Sequence, residues 1–129
     1  MGRIGPGLCV LLGAGQGDAI IDVDWMFDKI INLRIFSDEQ GKMNRSLLDV
    51  GGGLLVVSQF TLYAEVKRGR RPFFGDAMEP VQAEQLYEAF LVKAREQGIT
   101  TAAGSFGADM EVELVNDGPV TICLDSRAT

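Results

Sequence analysis

The chain has 129 residues, 47% hydrophobic and 23% charged, with a net charge of −6. That balance suits one folded globule and excludes a disordered chain. The absence of histidine excludes a Ser-His-Asp triad, a histidine-held zinc and the usual neutral-pH proton shuttle.

Gly5-Pro6-Gly7 signals a turn, and Leu8 to Leu12 reads as a short buried strand. Gly13, Gly15 and Gly17 follow as a loop. Their spacing misses the dinucleotide fingerprint at the third glycine, and no suitable acidic residue follows in a second strand. Residues 18–36 carry a helical stripe of Ile20, Val23, Phe27, Ile30 and Ile31, widened by Met26 and Leu33. Residues 37–42 form a polar turn. Ser46 to Asp49 leads into the flexible Gly51-Gly52-Gly53.

Leu54 to Phe60 is the clearest strand, and its polar end at Ser58 and Gln59 is where function is expected. Four cations, Lys67, Arg68, Arg70 and Arg71, then fall within five residues. Such a cluster is either a solvated loop or an arm that contacts phosphates. Pro80 opens a second helix, Leu86, Tyr87, Phe90, Leu91 and Ala94 give it one apolar face, and Gly98 ends it.

Two alternating runs close the chain. Met110, Val112 and Leu114 alternate with Glu111 and Glu113; Val120, Ile122 and Leu124 alternate with Thr121 and Cys123. Asn116-Asp117-Gly118-Pro119 joins them as a turn. The order strand, helix, strand, helix, strand pair fits a parallel α/β sheet or an antiparallel α+β domain. The final pair favours α+β, mainly antiparallel, with two main helices on one face. Cys9 and Cys123, each inside an apolar run, are expected as small core residues rather than a disulfide or metal pair. Residues 1–129 are expected to form a single domain, cytoplasmic because no apolar run nears the roughly 20 residues of a bilayer span and no signal-peptide core is present.

Four motifs in order, Ser58-Gln59-Phe60-Thr61-Leu62, Gly69-Arg70-Arg71-Pro72, Phe106-Gly107-Ala108-Asp109-Met110 and Asn116-Asp117-Gly118-Pro119-Val120-Thr121, make the chain resemble the D-aminoacyl-tRNA deacylase family from about Gly5 to Ser126. The resemblance implies a barrel-like α+β fold and a homodimer with active sites along its interface. It implies hydrolysis of the ester between a D-amino acid, or glycine, and the 3′-terminal adenosine of tRNA. The sequence itself shows no metal cluster, so no cofactor and no metal are expected. It places Gly118 and Pro119 as a Gly-cisPro pair whose carbonyls enter the partner's pocket and reject L side chains. Ser58, Gln59, Phe60 and Thr61 match the pocket whose strand-end N–H groups hold an oxyanion. Phe106, Gly107 and Met110 match the segment lining the adenine pocket, where stacking on a base is worth about 1–3 kcal/mol. Phe106 and Met110 also read as core residues, and for Met110 the core reading is favoured because it fits the inward register of its strand.

Thr61 is the nucleophile the resemblance suggests, and Gln59 is expected as the second catalytic residue. No base is visible to activate Thr61, so the substrate's own 2′-OH is the alternative. Family members begin with two further strands, the first carrying a Gln-Arg pair; about 20 such residues are expected to be missing here, judged by usual strand lengths. Phe73 replaces the small Ser common after Arg-Arg-Pro. Two competing functions remain: a catalytically impaired tRNA-binding or dimeric structural protein, and a small esterase acting on another aminoacyl ester.

Overall fold

The computed structural model describes residues 2–127. Strand β1 (Gly7–Leu12) leads through helix α1 (Ile20–Asn32) to a small ribbon, β2 (Phe36–Ser37) and β3 (Met43–Arg45). Helix α2 (Leu47–Val50), strand β4 (Gly53–Ser58) and a 3₁₀ turn (Phe60–Tyr63) follow, then helix α3 (Pro80–Glu96) and strand β5 (Thr101–Ala103).

The main sheet has the order β1-β4-β5. Both pairings are parallel: Gly7 to Leu12 lie opposite Gly53 to Ser58, and Leu54 to Val56 lie opposite Thr101 to Ala103. A parallel neighbour requires a crossover, and α1 and α3 each lie within one. The antiparallel β2–β3 pair, where Phe36 faces Arg45, forms a separate two-stranded sheet.

Helices α1 and α3 pack on the sheet. Phe27 meets Phe90 edge-on with centroids 5.5 Å apart. Val10, Leu54, Val56, Tyr87, Leu91 and Ala94 complete the central core with Ile30 and Ile31. Leu54, Val56 and Ala94 are fully buried. Residues 104–127 run on from β5 without a strand of their own.

The expected mainly antiparallel, barrel-like sheet is therefore corrected. The main sheet is parallel, and no barrel closes among the described residues. The two alternating runs that suggested antiparallel pairing, 110–114 and 120–124, form no ladder. Val112, Leu114, Val115 and Ile122 are exposed instead. Alternation marks a two-faced extended chain, and it does not supply the neighbour that a ladder needs. Met110 does not point inward in strand register either: its side chain lies over Gly104, 2.7 Å from where a Cβ would stand.

Both cysteines are solvent-exposed, not core residues. Cys9 sits between the inward-facing Leu8 and Val10, so the pleat turns it to the other side. Helix α1 is shorter than its apolar stripe suggests, because Phe36 leaves to pair with Arg45. The second helix follows expectation. Pro80 stands in its first turn, the Glu79 carboxylate accepts the Val81 and Gln82 amides, and Gly98 at φ +79° follows its end.

Candidate active site

The end of β4 brings four of the expected residues together. Ser58 is the last strand residue and is half-buried. The Gln59 amide is still held by the sheet side, donating to the Leu12 carbonyl at 2.9 Å. The chain then turns: the Leu62 amide donates to the Gln59 carbonyl at 3.3 Å and the Ala64 amide to the Thr61 carbonyl at 3.1 Å. The first amides of a helical turn have no partner within it. The amides of Phe60 and Thr61 accordingly donate to no acceptor among the described residues. The free donors thus begin one residue beyond Gln59.

The Gln59 side-chain amide donates to the Thr61 hydroxyl. That bond joins the two side chains expected to be catalytic and fixes the orientation of the exposed threonine. Phe60 is exposed and rests its edge on Phe74, centroids 5.0 Å apart at 67°.

A glycine loop backs this turn. A Cβ on Gly13 would come within 2.9 Å of the Gln59 carbonyl, and one on Gly15 would strike the Tyr63 ring. The loop is pinned from the other side. Asp18 accepts the Gly15 amide at 2.7 Å and the Arg127 guanidinium at 2.6 Å, and Arg127 also donates to the Gln16 carbonyl. Gln16 and Met78 donate to the carbonyls of Asp76 and Ala14, both at 2.9 Å. Partial burial, with the Asp18 carboxylate nearby, pushes the Tyr63 hydroxyl above its ordinary pKa. Sequence reading missed this support because the glycine spacing was tested only against a dinucleotide loop. The available signal was three glycines at alternate positions directly after a strand, a run able to admit another side chain at backbone distance.

The remaining expected residues lie on the C-terminal stretch. Phe106 is half-buried and tilts against Tyr87 with centroids 5.9 Å apart. The Tyr87 hydroxyl lies 3.0 Å from the Val56 carbonyl and 2.9 Å from that of Gly104, fastening the start of this stretch to β4. Gly107 has φ +75°. Gly118 and Pro119 are joined by a cis peptide bond and are exposed. Their loop is braced by Asn116, which accepts the Val120 amide at 2.9 Å and donates to the Thr121 hydroxyl at 3.2 Å. No hydrogen bond or aromatic contact among the described residues joins Phe60 and Thr61 to Phe106, Met110 or the Gly118–Pro119 pair.

No helix among the described residues is long and apolar enough to cross a membrane. Residues 1–125 match the family model described as D-Tyr-tRNA(Tyr) deacylase. The D-aminoacyl-tRNA deacylase of Clostridioides difficile (strain 630) is 59% identical over 126 residues, covering 98% of this chain and 85% of that protein. The D-aminoacyl-tRNA deacylase of Myxococcus xanthus (strain DK1622) is 57% identical over 123 residues, covering 95% of this chain and 80% of its own. Among solved structures, one described as c-Myc DNA Unwinding Element Binding Protein superposes with a TM-score of 0.89 at 45% identity, covering 97% of this chain and 85% of that one. A probable eukaryotic D-amino acid tRNA deacylase shares the fold at 17% identity, with a TM-score of 0.63 over 78% of this chain and 74% of its own. With a family model matched along nearly its full length and relatives more than half identical, the chain belongs to the D-aminoacyl-tRNA deacylase family of hydrolases.

Proposed function

We propose that this chain hydrolyses the ester between a D-amino acid, or mischarged glycine, and the 3′-terminal adenosine of tRNA. The observation that carries the reading is the pair of unclaimed amides at Phe60 and Thr61, beside a threonine hydroxyl held by Gln59. Ester hydrolysis passes through a tetrahedral oxyanion. Preorganised N–H donors stabilise that charge, and one such donor is typically worth about 10²–10³ in rate. Water attacks the carbonyl carbon, negative charge gathers on the carbonyl oxygen facing the two amides, and the ribose oxygen leaves with a proton. The substrate's neighbouring 2′-OH positions the water, and Thr61 orients the ester. This division of labour suits a chain with no histidine.

Stereochemical choice comes from a second copy of the chain. Gly118 and Pro119 of one protomer enter the pocket of the other, and their carbonyl oxygens occupy the space an L side chain would need. The exposure of that loop in a single chain supports this role. So does the exposed apolar run of Val112, Leu114, Val115 and Ile122, which a partner would cover. Phe106, Gly107 and Met110 line the adenine side, and Ser58 supports the pocket wall.

Release of amino acid from D-aminoacyl-tRNA, L-aminoacyl-tRNA and D-aminoacyl-adenosine tests the reading, with sedimentation reporting the oligomer. Preferential release from the D ester by a dimer is expected. No release from any ester would favour a catalytically impaired binding protein. Equal release from the D and L esters would remove the proposed filter.

A further inference from the structure

We infer that the hairpin loop between Glu65 and Phe73 is an electrostatic arm that grips the phosphate backbone of the tRNA's 3′ strand, just inside the terminal adenosine. The inference rests on the reading above and concerns how the substrate is held rather than how it is cleaved.

Four of the chain's 12 Lys and Arg residues stand at positions 67, 68, 70 and 71, although the net charge is −6. All four are exposed. The ion pairs among the described residues employ other cations, Arg45, Lys93 and Arg127. Glu65, the carboxylate at the base of the arm, accepts the Lys67 main-chain amide at 2.8 Å and forms no ion pair with the four cations. The arm, residues 65–73, therefore sets four cations against one carboxylate on an otherwise acidic protein, and this excess positive charge concentrates an anionic ligand there rather than elsewhere on the surface.

The loop has a defined shape and a defined place. Glu65 and Phe73 exchange main-chain hydrogen bonds at 2.7 and 2.9 Å, closing its base. Gly69 turns its tip with φ +68°. The next residue, Phe74, packs on Phe60, and the loop leaves the 3₁₀ turn only one residue after Tyr63. The cations are thus tethered directly to the segment bearing the unclaimed amides. A ligand whose ester lies at Phe60 and Thr61 would carry phosphates within reach of a loop that starts at Glu65, two residues after the turn. Arginine suits this task because its planar fork pairs two phosphate oxygens at once.

The test compares the wild type with a variant carrying Lys67→Gln, Arg68→Gln, Arg70→Gln and Arg71→Gln. Two substrates are used: D-aminoacyl-tRNA, and D-aminoacyl-adenosine, which has the ester but no phosphate. KM for the tRNA ester is expected to rise roughly tenfold or more, with a salt dependence flatter by about 0.7 in logarithmic slope for each phosphate no longer neutralised. Turnover of the adenosine ester is expected to stay within about twofold, since the proposal gives phosphate-free substrate nothing to bind on the arm. A variant with Arg68→Lys, Arg70→Lys and Arg71→Lys keeps the charge and should retain most of the affinity.

An unchanged KM and salt slope for the tRNA ester would overturn the inference. So would equal losses on both esters, or a variant that loses affinity for a duplex DNA oligonucleotide but not for tRNA. Wild-type protein that releases no D-amino acid from either ester would defeat the underlying reading instead, so the two failures are separable.

Discussion

The Tyr63 hydroxyl lies 2.7 Å from the point where a Cβ on Gly15 would stand, with two ring carbons at 2.8 Å. The glycine loop and the turn carrying Gln59 and Thr61 therefore fit each other at main-chain distance. A planar ring anchored in a short turn has little room to retreat. Gly15→Ala is expected to destabilise the fold by about 1–3 kcal/mol through overpacking and to lower turnover, because the turn shifts with the ring. Tyr63→Ala alone opens space, and the double variant should recover part of the loss. Urea midpoints and kcat for the two single variants and the double variant measure the coupling; strictly additive effects would show that the two residues do not constrain each other.

Thr61→Val and Thr61→Ala remove the hydroxyl and leave the residue 61 amide in place. If the substrate's 2′-OH positions the water, both variants keep turnover within less than the roughly 10²–10³ that loss of an oxyanion donor costs. Single-turnover release from D-aminoacyl-tRNA reads this directly. Complete loss of turnover with tRNA affinity intact would make Thr61 the nucleophile.

Gly118→Ala addresses the proposed filter. The added methyl would stand 2.7 Å from the Val120 side chain and 2.8 Å from its amide nitrogen, the amide braced by Asn116. The loop tip must move, and a displacement near 1 Å at a reacting centre costs on the order of 10² in rate. The ratio of kcat/KM for D and L esters is expected to fall. A preserved ratio would separate the loop from stereochemical choice.

Acid stability should report the cap of α2. Ser46 and Asp49 satisfy each other's amides, at 2.8 Å from the Ser46 amide to the Asp49 carboxylate and 3.1 Å from the Asp49 amide to the Ser46 hydroxyl. The Ser46 amide, then the Ser46 hydroxyl, hold the Asp49 carboxyl below its ordinary 3.8, against an opposing desolvation. Because the folded value is the lower one, the contribution to stability is complete above about pH 4 and disappears as pH falls through the folded value. Asp49→Asn should flatten that part of the acid limb in urea titrations. Ser46→Ala should cost about 1 kcal/mol near neutrality. An unaltered acid limb in Asp49→Asn would assign the loss to other carboxylates.

The two long helices were legible because each buries a continuous 3.6-residue stripe, Val23 to Ile31 and Tyr87 to Ala94. Helix α2 and strand β5 were not read, being only four and three residues long. Even so, Ser46 with an acidic residue at Asp49 is a capping signature that was available. Sheet direction was misread for a physical reason. Glu111 and Glu113 set between apolar residues describe the two sides of an extended chain, whereas strand direction is decided by the helical crossovers through α1 and α3. At the site, Ser58 and Gln59 stood out as polar residues ending an apolar run. The role of Gly13 and Gly15 did not, since the close approach of Gln59 and Tyr63 arises only once β1 and β4 lie side by side.

The unclaimed amides at Phe60 and Thr61 belong to the peptide chain itself. Nineteen of the twenty standard residues would leave either hydrogen in place, and proline alone would delete it. Mutational drift can therefore change the side chains there without erasing the pair of donors, and a proline scan of these two positions would find what an alanine scan overlooks.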